Sequence, residues 1–345
     1  MKDSPLTREE VIRVIEGRGA ARRIPIAVQQ WIAPEIFGER AKAYRELLND
    51  YPCDIDRVYF RFPDVFDAPA DDATYRWMNM NNPFPPATPL DAVSALDDWD
   101  RLPEILAEFP NPSYPGLIPK DTPATDGRYR VGLWWYWLFE RHWSLRGMEN
   151  ALCDYYEYPD EVHKLYRALT DFYKVVLTRA KKELNLDGIW TSDDIGTQKA
   201  PFFSMEIFET FFAPYYKELV DHCHSLGMHF WMHCCGNIVP IIPRLIEIGV
   251  DVLHPIQKYT MSEKAIADAY GDKICIWAGF DVQQIIPYGT PEDVRREVRF
   301  LFDTYYRKEG RLILAAGNNM TPDTPYESLH ALLDEALVYG SRIGK

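Results

Sequence analysis

No stretch of the chain approaches the roughly 20 consecutive apolar residues of a membrane span. Its start, MKDSPLTREEVIRVIEG, lacks the apolar core of a secretion signal. A cytoplasmic protein without a membrane partner is expected. Basic excess is missing as well: 38 Lys and Arg stand against 52 Asp and Glu, a formal charge of −14 and a pI of about 5.1. Phosphate backbones bind basic faces, so a nucleic-acid partner is set aside. A disulfide framework is absent, because six Cys are scattered at 53, 153, 223, 234, 235 and 275, and vicinal Cys234 and Cys235 would need a strained ring to bridge. There is no internal repeat and no low-complexity tail.

What is present is material for a large core. Hydrophobic residues make up 47% and aromatics 14%, with 10 Trp and 21 Tyr, enough for a packed interior and an aromatic-lined cavity. Eight short apolar or β-branched runs read as strands: Ile24–Gln30, Val58–Phe62, Tyr129–Trp134, Gly188–Ser192, His229–His233, Val252–His254, Ile274–Ala278 and Leu312–Ala316. From the third onward each precedes a stretch of helical period. Hydroxyl caps are expected at Ser204, Ser262, Thr290-Pro291 and Thr324-Pro325. Strand and helix in alternation imply parallel strands with crossover helices, and eight such units predict a single (β/α)8 TIM barrel spanning residues 1–345.

Thr7-x-x-Glu10 is a capping box that opens an N-terminal helical extension across the barrel bottom. Between the second and third strands, residues 63–127 form a Pro-rich insertion that includes NNPFPPATP, Trp77, Trp99 and Tyr114. Long loops of this kind are usually functional covers, so it is expected to lie over the barrel mouth.

In such a barrel the carboxyl ends of the strands converge on one mouth. The polar residues there are candidates for binding substrate: Trp137, Glu140 and Arg141; Gln198; Asn237; Gln257; Asp281; Asn318. Asp193 and Asp194 follow an apolar strand and precede a Gly turn, so one of them is expected to point inward and bind a cation, orient a hydroxyl or move a proton. The alternative is that Asp194 caps the next helix while Asp193 faces water. Alternation along a strand puts His233 and Cys235 on one side, where both can meet one metal ion while Cys234 points away. A buried His with inert Cys neighbours is the other reading. Catalytic zinc takes three protein ligands, and Asp193 or His254 are the stand-ins for a missing third. His222 and His224 sit on a helix and are expected to pack.

Read together, LFERHWSLRGMENAL, LDGIWTSDDIGTQKAPFFS, FFAPYYKELVDHCHSLG, HCCGNI, LIEIGVDVLHPIQ, AYGDKICIWAGFDVQQIIPYGTPEDV and AAGNNMTPDTPYESL resemble the uroporphyrinogen decarboxylase superfamily between about Gly132 and Tyr339. That superfamily joins porphyrinogen decarboxylases to corrinoid-linked zinc methyltransferases. The resemblance implies that an Arg-rich grip after the first strand, typical of the decarboxylases, is replaced here by Ala27–Trp31. By the same resemblance Phe62-Pro63-Asp64 stands where the decarboxylases carry an Asp, the decarboxylase His falls at Asn318, and its Tyr falls near Trp137. It also implies that His233 and Cys235 match two zinc ligands of the methyltransferases, whose third falls at Asn318, so that Asp193, Asp194 or His254 would have to help. The expected activity is transfer of a methyl group between a small methylated substrate or thiol and a corrinoid protein, with Asp193, Asp194 and His233 as catalytic candidates. The alternatives are a decarboxylase or lyase acting on a tetrapyrrole or small carboxylate, and a barrel that only binds its ligand. Self-association into a homo-oligomer stays open.

Overall fold

The computed structural model describes residues 2–60, 92, 94, 96–107, 111–114, 117–119 and 126–344. Seven parallel strands form one sheet in chain order: β1 Ile55–Tyr59, β2 Tyr129–Trp134, β3 Gly188–Ser192, β4 His229–His233, β5 Val252–His254, β6 Cys275–Phe280 and β7 Leu312–Ala316. Every residue of β2, β3, β5, β6 and β7 is buried. Strands covered on both faces read as continuous apolar runs, which is why these five were visible in the sequence. The helical stretches follow as expected, including Pro159–Leu184, Ala213–Ser225, Pro291–Tyr305 and Tyr326–Ile343. This is a parallel α/β architecture consistent with a TIM-like barrel.

The first of the eight expected strands is not one. Within Ile24–Gln30 only Ile26 bridges to Leu314, and the chain turns into a 3-10 helix at Val28–Trp31. The cause is local. Pro25 has no N–H, and the Ile26 amide is taken by the Asp54 carboxylate at 2.6 Å instead of by a neighbouring strand. Short as it is, the segment touches both edges of the sheet: Ala27 N–H donates to Leu314 O and Leu314 N–H to Pro25 O, both at 2.9 Å, while Asp54 N–H donates to Ile26 O at 2.8 Å. Asp54, wholly buried, also receives the Leu6 amide and a two-pronged bond from buried Arg23. The second strand begins three residues earlier than Val58, and Arg61 onward, with Asp64, Trp77 and most of the 63–127 insertion, lies outside the described residues.

Thr7 and Glu10 form the reciprocal capping box, and Ser204, Ser262 and Thr290 each accept a backbone N–H at a helix start. Thr324 does not. Pro325 occupies the N-cap position, and the Thr324 hydroxyl is one residue too early to reach the free amides. The helix Arg8–Ile15 lies at the amino ends of the strands, with Arg8 on Asp187 just before β3 and the Val14 carbonyl on the Arg311 amide just before β7.

The described end of the insertion is tied down through Asp154. Its carboxylate accepts from the Trp99 indole at 3.0 Å, from His142 Nε2 at 3.0 Å and from Arg146 at 2.8 and 2.9 Å, while Leu96 N–H donates to Leu145 O. Burial pushes the Asp154 carboxyl up, but His142, Arg146 and Trp99 together bring it down to about 2. A carboxylate held below its unfolded value of about 3.9 adds stability above that pH and loses it as pH falls toward 2, here about 2 kcal/mol. Urea midpoints of the wild type and Asp154→Asn are expected to differ most above pH 4 and to converge below it. A difference that stays constant from pH 2 to pH 6 rules this anchor out.

Candidate metal centre

Four strand ends build the centre. At the end of β4, His233 is buried and its Nε2 lies 3.4 Å from Cys235 Sγ, as expected for two residues on one side of an extended chain. The end of β3 delivers Asp194, whose Oδ1 stands 3.6 Å from His233 Nε2 and accepts the Cys235 N–H at 2.7 Å. The three donor atoms lie within 4.8 Å of one another. From the end of β7, Asn318 Nδ2 reaches Cys235 Sγ at 3.5 Å.

The loops after β3 and β4 meet where only glycine fits. Gly236 has φ +90°, and a Cβ there would lie 2.3 Å from Gly196 O; a Cβ on Gly196 would lie 2.8 Å from Cys235 O. This crossing holds Asp194 against Cys235. The Gln257 side chain, from the end of β5, pins the Gly236 amide at 2.6 Å.

His254, also from the end of β5, is not a third ligand. Its Nε2 meets Ala316 O at 2.8 Å and its Nδ1 meets His233 Nδ1 at 2.8 Å, so neither nitrogen is left for a metal. A carbonyl only accepts, so Nε2 of His254 carries a proton. Burial, helped by the neighbouring His233, pushes the His254 pKa well down, so its Nδ1 is bare and accepts from His233 Nδ1–H. Burial also lowers His233 against the pull of Asp194, which favours the neutral ring, and its Nε2 faces Cys235 and Asp194. Trp31 stacks on His254 at 4.4 Å between centroids, and half-buried Trp135 meets the His233 ring edge-on at 5.8 Å.

Asp193 does something else. It is wholly buried, and its oxygens accept the amides of Leu138, Phe139 and Glu140 at 3.1, 3.1 and 2.8 Å and the Tyr216 hydroxyl at 2.5 Å. It caps the helix Phe139–Arg146 from the neighbouring strand, the reverse of the sequence alternative in which Asp194 was the cap. Four donors at a helix N-terminus hold it as an anion although burial pushes its carboxyl up. Glu140, on that helix, accepts from Ser192 Oγ; burial, then Asp194 and Asp193, push its carboxyl well up, so it is the one that holds a proton.

The other expected substrate contacts divide. Gln257, Asp281 and Asn318 line one cleft with Cys235. Asp281 is engaged there by the amides of Gln283, Gln284 and Ile285 and by the Tyr259 hydroxyl. Asn237 ties its own loop, to Thr260 O and the Val239 amide. Trp137 is fully buried and stacks on Tyr216 at 3.8 Å, so it packs instead of facing the mouth. Arg141 is buried with its guanidinium over Tyr136, and Gln198 is exposed on the loop beyond Asp194. As expected, His222 and His224 bond to neighbours on the outer layer, Thr178 and Asp251. Trp31 and Trp135 carried no signal of their own in the sequence, Trp31 because it follows the segment misread as a strand.

A parallel α/β protein with a compact N, O and S donor set at its strand ends is thereby defined. The chain belongs to the uroporphyrinogen decarboxylase (URO-D) family, whose model matches residues 143–338. Among curated relatives it is 27% identical over 175 residues to a methylcobamide:CoM methyltransferase MtbA of Methanosarcina acetivorans and 25% identical to that of Methanosarcina mazei. Each match covers 50% of this chain and 49% of the relative, so the chain spans about half the length of the curated relatives it matches. A solved methyltransferase from Methanosarcina mazei superposes with a TM-score of 0.60 over 97% of this chain and 99% of that one; at 15% identity this shows the fold alone.

Two neighbouring aspartates thus differ sharply in what they do. Asp193→Asn puts an NH2 against backbone donors and is expected to cost about 3 kcal/mol or more. Asp194→Asn, whose side chain is 38% exposed, is expected to stay within about 1 kcal/mol of the wild type. Equal losses in chemical denaturation would show that the division of roles is wrong.

Proposed function

We propose that the chain is a metal-dependent methyltransferase, moving a methyl group between a small methylated compound or thiol and a corrinoid carried by a partner protein. The observation that carries the reading is the Asp194, His233 and Cys235 donor set, in which His233 Nε2 faces Cys235 Sγ and Asp194 Oδ1. Two of its three separations match a zinc ion, and the third lies within 4.8 Å. Zinc bonds of about 2.0–2.3 Å at a tetrahedral angle put ligand atoms about 3.4–3.6 Å apart. The Cys235 Sγ to His233 Nε2 and His233 Nε2 to Asp194 Oδ1 separations are 3.4 and 3.6 Å. A three-residue mixed set is also the pattern of catalytic zinc sites, which keep a position open.

Bound there, a zinc-class cation supplies the charge that turns a thiol into a nucleophilic thiolate. The chain's own donor set favours such an ion: burial, and then Asp194, push the Cys235 thiol up, so it keeps its proton until a cation replaces it. Asn318 N–H orients the Cys235 sulfur, Gln257 and the glycine crossing fix its loop, and Trp135 walls the opposite side. In this reading the strands and the Pro25–Ala27 bridge form a closed eight-membered barrel in one domain. A reducing compartment such as the cytoplasm suits it, since all six cysteines are unpaired and Cys235 must stay reduced. The relatives' name, methylcobamide:CoM methyltransferase, supports the reaction class and a corrinoid partner.

Metal analysis of protein purified without added zinc is expected to give about one equivalent per chain, falling below about a tenth in His233→Ala and Cys235→Ala. Wild type mixed with cob(I)alamin and a panel of methoxylated aromatics, methanol and methylamines should yield methylcobalamin, read by its visible spectrum. Silence across the panel, and with methylcobalamin and thiols in reverse, would overturn the reading; carbon dioxide released from uroporphyrinogen or smaller acids would favour a decarboxylase. Asn318→Cys puts a thiol beside the open position and is expected to tighten zinc by about tenfold or more while lowering turnover. Unchanged affinity in a chelator competition would place residue 318 outside the centre.

A further inference from the structure

We propose that His254 is a positioning residue: it sets the tautomer of His233 and thereby aims the Nε2 lone pair of His233 at Cys235 and Asp194. The inference deepens the metal-site reading, and its metal readout rests on that reading. His233 and His254 are register partners on adjacent parallel strands, so their side chains stand beside each other on one face of the sheet. That places the two Nδ1 atoms 2.8 Å apart, a separation that needs one proton between them. Which ring gives it is decided on the far side of His254. Its Nε2 faces the Ala316 carbonyl at 2.8 Å, an atom that can only accept. The His254 ring is wholly buried and is clamped by Trp31, 4.4 Å away and inclined by 17°, and by Trp277 at 4.7 Å. Turning the ring over would take Nε2 from the Ala316 carbonyl and Nδ1 from His233, so the two bonds fix its orientation. With its one proton spent on Ala316, His254 takes the proton of His233 Nδ1, and His233 is left with a bare Nε2.

Among the described residues nothing else on the His233 ring performs this task. Its Nε2 side carries Cys235 and Asp194, and Trp31 and Trp135 meet its ring without a hydrogen bond. Histidine ligands elsewhere use a carboxylate or a backbone carbonyl for the outer bond. Here a second imidazole stands between the ligand and the carbonyl, so the ends of β4, β5 and β7 are linked through one chain of hydrogen bonds.

Long-range 1H–15N correlation spectra of the metal-free full chain, with the His233 signals identified by their loss in His233→Gln, should show the proton on Nδ1. His254→Phe keeps the aromatic stack and removes the acceptor; it should give His233 as a mixture of tautomers and weaken zinc about 10- to 100-fold in chelator competition. His254→Asn, whose side-chain oxygen replaces the Nδ1 acceptor, should recover most of that loss. A merely packing role for His254 predicts the opposite order, with Phe tolerated and Asn damaging. The proposal is overturned if the unaltered chain carries its proton on His233 Nε2, or if His254→Phe holds zinc within about twofold of the wild type. The spectrum of the unaltered chain needs neither metal nor any change at His254, so it decides even if His254→Phe fails to fold. It also separates the outcomes: absence of methyl transfer would remove the proposed function and leave the His233–His254 pair standing.

Discussion

The buried carboxylate of Asp193 is the constraint from which the rest of the centre follows. Three backbone amides and a tyrosine hydroxyl converge on it, which fixes the start of the helix Phe139–Arg146 against the end of β3. Because successive side chains on an extended chain point to opposite sides, committing Asp193 to the helix sends Asp194 the other way, toward Cys235. The same bonds place Glu140 on the first turn of that helix, over Ser192. Asp54 plays the equivalent part at the other end of the sheet, replacing strand pairing by a carboxylate that holds Ile26, Leu6 and Arg23. Buried anions satisfied by backbone N–H groups, more than side-chain ion pairs, decide where this chain turns.

The electrostatics of the centre follow from that arrangement. Buried Asp193 and partly exposed Asp194 flank Glu140, which holds a proton, and Lys258, which lines the adjoining cleft, is engaged by Glu297 at 2.5 Å and Glu263 at 3.5 Å. Negative charge therefore accumulates around a thiol. Left to itself this opposes the thiolate, because an anion formed beside Asp194 in a dry site is costly. A divalent cation held as proposed would reverse the sign of the problem: the same carboxylate that suppresses the thiolate would become its co-ligand. A neutral imidazole with its lone pair turned inward is the complementary requirement, and the His254 contact meets it.

Much of this fold was legible from sequence, and the failures have local causes. Strands β2, β3, β5, β6 and β7 announced themselves as short apolar runs because every residue in them is buried. The segment at Ile24–Gln30 had the same composition, but Pro25 and the Asp54 carboxylate remove its ladder, and no local pattern reveals a carboxylate 28 residues away. His233 and Cys235 followed from the two-residue period of a strand. The role of Asp194 was one of two readings of an adjacent pair, and only the helix start at Leu138–Glu140, more than fifty residues earlier, tells them apart. His254 was visible as a polar residue at a strand end, yet whether such a residue ligates or supports depends on the Ala316 carbonyl, on a strand two places along the sheet.

A common rule connects these cases. Polar side chains ring the mouth at nearly every strand end, but each strand end also begins a loop or helix whose first amides lack intrahelical partners. Carboxylates and carboxamides nearest those amides are drawn into serving them: Asp193 for Leu138 to Glu140, Asp281 for Gln283 to Ile285, Asn237 for Val239, Gln257 for Gly236. What remains for chemistry is the remainder after that demand is met. Asp194 bonds to the Cys235 amide through Oδ1 and is still 38% exposed, His233 has one nitrogen turned inward, and Cys235 sits beside both. A strand-end polar residue in such a barrel is therefore better judged by the backbone donors within its reach than by its residue type. On that criterion Asp194, His233 and Cys235 are separated from their neighbours without appeal to any relative.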